Sequence, residues 1–147
     1  MNLDNFADIL LQQMPDALVV SDEAGIIQLW NNGAQRIFGF TASEAIGQPL
    51  DIIIPENLRA RHGNGCRETM RTGITKYAAG ELLAVPALCK DGKRISIQFS
   101  ILPLADPDGK WIGVAAIMRD VTAEFAKRRE LEKSVSEYRR MARANKA

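Results

Sequence analysis

Among the residues of this 147-residue chain that could carry chemistry, one stands alone: His62, the only histidine, at the end of Pro55-Glu56-Asn57-Leu58-Arg59-Ala60-Arg61-His62. A neutral imidazole is a strong ligand for iron and other transition metals, and a lone one gives a metal-bearing cofactor a single point of attachment. Cys66 follows four residues later, on the same face of any helix drawn through this segment, and could touch the same cofactor edge. The imidazole is the better anchor of the two. Cys89 is remote in sequence and forms no Cys-x-x-Cys pair, which argues against both a disulfide framework and a structural zinc site. Two reduced thiols in a cytosolic protein fit that pattern.

Other chemistry is thin. The chain shows no Ser/His/Asp or Cys/His constellation with supporting context, no phosphate-cradling glycine loop and no clustered metal ligands, so it is not expected to be an enzyme. Hydrophobic content of 46% and charged content of 25% are those of a soluble globular protein long enough to bury a core. The formal net charge of +1 gives no pull toward nucleic acid or anionic membrane. No signal peptide opens the chain and no segment is long and apolar enough to span a bilayer, so a cytoplasmic address is expected.

The elements that must position His62 follow from periodicity. Leu3, Phe6, Ile9, Leu10 and Met14 mark a short amphipathic leading helix that Pro15 ends. Residues 17–22 and 26–30 form a hairpin around Glu23-Ala24-Gly25, and residues 31–40 return to helical turns. Thr41 and Glu44 match a capping box, with Gly47 as the stop. Residues 55–73 read as one longer helix carrying His62, although Gly63 and Gly65 weaken it by about 1 kcal/mol each relative to alanine. Glycines there suit a helix whose backbone something bulky approaches, or one that simply frays. Strands follow at 81–90, 94–104 and 111–118, separated by Asp91-Gly92 and Asp106-Pro107-Asp108-Gly109 turns, and Ile95, Ile97, Phe99 and Ile101 fall on one face of the second. From Val121 the chain is helical and charged, with Leu131, Val135, Tyr138 and Ala142 at coiled-coil spacing; Arg139, Arg140, Arg143 and Lys146 serve to solvate it. Hairpin strands with the helices set between them indicate an α+β fold on an antiparallel sheet.

Met14-Pro15-Asp16-Ala17, Trp30-Asn31, Ile37-Phe38-Gly39-Phe40-Thr41, Glu44-Ala45-Ile46-Gly47, Lys90-Asp91-Gly92 and Arg119-Asp120-Val121-Thr122 together resemble a PAS domain over residues 8–122. The resemblance implies a five-stranded antiparallel sheet curled around a pocket, with helices on one face. It also implies a sensory or dimerisation role in signalling of the bacterial type. The division expected is an N-terminal helix at 1–14, the sensor domain at 15–122 and a C-terminal signalling helix at 123–147. Gly47-Gln48, Ile54-Pro55-Glu56, Arg61-His62 and Lys90-Asp91-Gly92 are similar, more narrowly, to the haem-PAS domain of FixL-type oxygen sensors.

That narrower likeness implies haem b with His62 as proximal iron ligand, and distal apolar contacts at Ala78, Phe99 and Ile101. The distal arginine of that group aligns with Leu83, which cannot donate a hydrogen bond, so oxygen affinity should be lowered relative to carbon monoxide or nitric oxide. The methionine that closes the sixth position in other haem-PAS sensors aligns near Glu81. The propionate-binding arginine aligns with Glu68, with Arg67 and Arg71 near enough to substitute. The reactive-cysteine motif of covalent flavin photoreceptors is missing from 47–52. A non-covalent flavin lined by Trp30 and Asn31, a small metabolite, or no ligand at all are the alternatives, the last making the chain a dimerisation or protein-interaction module. The expected partners are a second copy and a downstream signalling protein, with neither nucleic acid nor membrane.

Overall fold

The computed structural model describes residues 2–74 and 84–146. The described elements run α1 (Phe6–Gln13), β1 (Ala17–Asp22), β2 (Ile27–Trp30), α2 (Asn32–Phe38), α3 (Ala42–Ala45), 3₁₀ turns at Leu50–Ile53 and Glu56–Leu58, α4 (Arg59–Thr72), β3 (Ala84–Leu88), β4 (Arg94–Ala105), β5 (Trp111–Asp120) and α5 (Thr122–Ala144). All five strands form one antiparallel sheet in the order β2-β1-β5-β4-β3. The α+β class and the PAS-type arrangement expected from the sequence are therefore present.

Register decides which residues face the helices. Phe99 pairs with Met118 and Ile101 with Ala116, while Ala116 and Met118 pair in turn with Val19 and Ala17. Directly paired residues share a face. Ala17, Val19, Ile97, Met118 and their neighbours thus line one side, where they pack with Ala34, Phe38, Ala45 and Ile53 from the helical segments. Cover along β4 is uneven: Ile95 and Ile97 are buried, whereas Phe99 and Ile101 are only half-buried.

The tightest corner is built on Trp30 and Asn31. Trp30 is 2% exposed, donates from Nε1 to the Phe40 carbonyl at 2.9 Å, and stands against Phe38 and Phe40 at 5.6 and 6.3 Å between ring centroids. The Asn31 side chain accepts from Leu18 N and Ala34 N at 2.8 and 2.9 Å and donates to Leu11 O and Asp16 O. One amide thereby caps α2, pairs with β1 and ties down the end of α1. Thr41 and Glu44 form the expected capping box, and Lys90 reaches Glu44 at 2.5 Å from the β3–β4 hairpin.

Element ends shift by a residue or two at several places, and two of the differences have a clear cause. The helix carrying His62 begins at Arg59, because Pro55 is extended and the next turn closes in 3₁₀ fashion, with Leu58 N donating to Pro55 O at 2.8 Å. β5 runs on to Asp120, where Arg119 and Asp120 pair with Gln98 and Ile97. The first three residues of the expected third strand, 81–83, lie outside the described residues.

Candidate functional site

α4 is capped at its C-terminus by Gly73, whose φ of 70° is the left-handed conformation that favours glycine. The same glycine lies against the Trp111 indole so closely that a Cβ there would overlap the ring, which fixes the end of α4 on β5. Upstream, α4 is lightly packed: Thr69 is its only buried residue.

His62 sits half-buried in the first turn of this helix. Burial lowers its pKa below the ordinary value, partly opposed by the charge of Asp51, which favours the neutral imidazole, the form that ligates metals. Its described polar neighbour is Cys66, whose Sγ lies 3.7 Å from Nε2 and 3.8 Å from Nδ1. Burial raises the Cys66 thiol above its usual range; Arg67 opposes this shift and Asp51 adds to it. The shared helical face expected for the pair is present. What sequence reasoning missed is Asp51, whose charge acts on both side chains from the 3₁₀ turn at Leu50–Ile53; its approach depends on tertiary packing and leaves no local signal.

The remaining candidates are distributed as follows. Phe99 and Ile101 lie together on the helix-facing side of β4, as expected. Ala78 and Leu83, with Glu81, lie outside the described residues. Arg67 and Arg71 are exposed on α4, and each already has a partner on its own helix: Arg67 bonds the Asn64 side chain, and Arg71 pairs with Glu68 at 2.7 Å. An arginine serving an anionic ligand edge would have to leave these contacts. Trp30 and Asn31, expected to line any non-covalent flavin, are buried and bonded in the packed corner described above. Cβ atoms built at Gly63 and Gly65 would meet only the tip of Arg67 at 3.7 Å and nothing within 4 Å, respectively, so no described protein group explains the glycines.

The residues present fit a haem at the level of donor chemistry: a half-buried imidazole with small residues beside it on α4, and half-buried apolar side chains at Phe99 and Ile101 on the helix-facing side of β4. Among the described residues no group of three or more His, Cys, Asp or Glu forms a metal cage, and no helix is long and apolar enough to cross a membrane.

A single antiparallel sheet with its helices inserted between the second and third strands defines a PAS-type sensor module. The chain belongs to the PAS fold family, whose sequence profile matches residues 11–125. It is 37% identical over 92 residues to the sensor protein FixL of Bradyrhizobium diazoefficiens, covering 63% of this chain and 18% of that one. It is 28% identical over 131 residues to the oxygen sensor protein DosP of Escherichia coli, covering 86% of this chain and 16% of that one. The matched stretch is less than a fifth of either relative's length. Among solved structures, the PAS domain of a Colwellia psychrerythraea protein superposes with a TM-score of 0.71 at 22% identity, over 83% of this chain and 99% of that one. An RNA-binding light-oxygen-voltage receptor superposes with a TM-score of 0.73 at 17% identity, over 91% and 37%. These two likenesses are of fold.

Proposed function

We propose that this PAS domain binds haem b through His62 and senses a diatomic gas or redox state, passing the signal through α5 to a second copy and a downstream partner. The observation that carries this reading is the half-buried position of the one histidine on α4, in a chain similar to an oxygen sensor and to FixL. Haem there would supply an iron able to take up a diatomic gas: His62 would hold it from α4, Phe99 and Ile101 would exclude water from the sheet side, and Arg67 and Arg71, exposed on α4, would be available to its propionates. Because the distal arginine of FixL-type sensors aligns with Leu83, which cannot donate, oxygen would be held less well than carbon monoxide or nitric oxide.

The output route is short. Val121 N donates to Ser96 O at 2.9 Å, and Ser96 N donates to Thr122 Oγ1 at 3.0 Å, so the first residues of α5 are bonded to the strand that carries Phe99 and Ile101. A shift of that strand moves the start of α5. On α5, Leu131, Val135 and Tyr138 are exposed at seam spacing, which supports a parallel dimer. Leu131→Glu with Val135→Glu should convert the dimer to a monomer by light scattering; unchanged mass would remove α5 from the interface.

The test of the cofactor is an absorption spectrum after haemin reconstitution of wild type and His62→Ala. A sharp Soret band in wild type that the variant loses is expected. No specific band in either would instead favour a cofactor-free or metabolite-binding dimerisation module.

A further inference from the structure

Two apolar surfaces of the chain face water, and neither belongs to the His62 site. The first is α1. It is eight residues long, shorter than the roughly 12 at which an isolated helix becomes even marginally stable, and none of its residues is buried. The apolar stripe of this segment, Leu3, Phe6, Ile9 and Leu10, is exposed throughout, Leu10 to 52%. The second surface is the face of the sheet turned away from the helices. Ala115 and Ile117 alternate with the helix-facing Ala116 and Met118; Ile117 pairs with Ser100, and Ala115 with Leu102 and Val20. Leu102 is 61% exposed and Ile117 42%. Contiguous exposed apolar surface of this kind marks an interaction site.

Charge and position argue for what covers them. Residues 2–14 carry Asp4 and Asp8 and no lysine or arginine. The outward residues of β4 and β5, within 98–104 and 113–119, include one cation, Arg119, and no acid. The two surfaces are therefore complementary in charge as well as apolar. α1 is anchored at its C-terminal end, where Leu11 O accepts from Asn31 and where Asp16, just beyond the helix, pairs with Arg119 at 3.0 Å. Ala17 pairs with Met118, so the end of α1 and the start of α5 stand side by side and one interface can take in both.

We propose that this chain pairs with a second copy by laying α1 of each across the outward sheet face of the other. A two-fold axis suits the contact, because each copy carries both halves of it. The seam on α5 is short for a coiled coil, which takes about three to four heptads. α1 and the sheet face add area that brings the pair toward the roughly 800 Å² per partner of a stable interface. The inference shares the second copy with the reading above but rests on neither the haem nor the α5 seam.

The test uses the full apo chain at micromolar concentration. Wild type should be a dimer by light scattering. Leu10→Glu and Leu102→Lys, each shown to be folded by circular dichroism, should raise the dissociation constant at least about a hundredfold, since a two-fold interface carries every substitution twice. A monomeric wild type would leave both surfaces to a different partner and overturn the proposal, as would a dimer that either variant leaves unweakened. Leu131→Glu with Val135→Glu separates the two interfaces: a dimer kept there and lost in Leu102→Lys removes α5 alone, and the converse removes this contact. Should a variant fail to fold, the contact is read directly. Phe6→p-benzoylphenylalanine is mixed with an equal amount of heavy-nitrogen-labelled wild type and irradiated. Labelled peptides from 98–104 or 113–119 are expected in the cross-link; cross-links confined to the same chain or to the partner's α1 overturn the proposal.

Discussion

The corner around Trp30 and Asn31 and the helix around His62 belong to one small domain but are built on opposite terms. In the corner every polar group has a bonded partner, the rings interlock, and the side chains are almost wholly buried. Along α4 a single residue is buried, two glycines occupy helix interior, and the two chemically capable side chains meet each other. The difference separates the part that specifies the fold from the part left free to take a ligand. A packed, fully bonded corner has one arrangement, whereas a lightly held helix has surface to give to something else.

The largest effect should come from the corner. Trp30→Ala removes a fully buried ring and the bond to Phe40 O, and should cost about 3–5 kcal/mol in denaturant unfolding. His62→Ala should cost about 1 kcal/mol or less by the same measurement while abolishing haemin binding. If the two costs were alike, the division between scaffold and site would be wrong.

Glycines offer a second contrast of intermediate size. A Cβ on Gly33 would overlap the backbone carbonyl groups of Asp16 and Pro15, so Gly33→Ala should destabilise by about 1–3 kcal/mol. A Cβ on Gly65 meets nothing within 4 Å, and there the helix preference of alanine dominates: Gly65→Ala should stabilise the apo protein by about 0.5–1 kcal/mol. The two signs are opposite for the same chemical change. Weakened haemin binding in the stabilised Gly65→Ala protein would show that the glycine is kept for the ligand's approach; unchanged binding would leave it a cost without that return.

Much of the scaffold is legible in the sequence because its signals are local. The switch from helical to alternating periodicity marks the hairpins, Asp91-Gly92 and Asp106-Pro107-Asp108-Gly109 end strands at glycines of positive φ, and Thr41 with Glu44 announces a box that both expected hydrogen bonds complete. Legibility fails where distant partners decide. Arg119 and Asp120 fall past the strand read at 111–118, yet pairing with β4 holds them in the sheet. Glu56–Leu58 reads as the first turn of α4, but apolar spacing does not distinguish a 3₁₀ turn from an α turn, and the extended Pro55 sets the former. At the site, the lone histidine identifies itself, and its shared face with Cys66 follows from the i, i+4 spacing. The Asp51 charge and the prior engagement of Arg67 and Arg71 depend on side-chain placement and could not be read in advance.

The smallest effect tests the same division from the scaffold side. Glu44 joins the Thr41 cap to Lys90, and the Lys90 ammonium, followed by the backbone and side chain of Thr41, lowers its pKa from the ordinary 4.5 to about 2. A carboxyl with a depressed folded-state pKa contributes stability that is fully present above its unfolded value and is lost as pH falls through the folded one. The advantage of wild type over Glu44→Gln should therefore be constant at neutral pH, shrink once pH drops below about 4.5, and vanish near pH 2. Because the carboxylate is exposed, that advantage should be modest in size and reduced by salt. Thermal melts of the two proteins across this range check the sign. The haemin spectrum at neutral pH should be identical for both, since Glu44 clamps α3 to the β3–β4 hairpin and touches nothing on α4. A change in that spectrum would mean that the clamp and the His62 helix are coupled, and that the lightly held half of the domain takes its geometry from the rigid half.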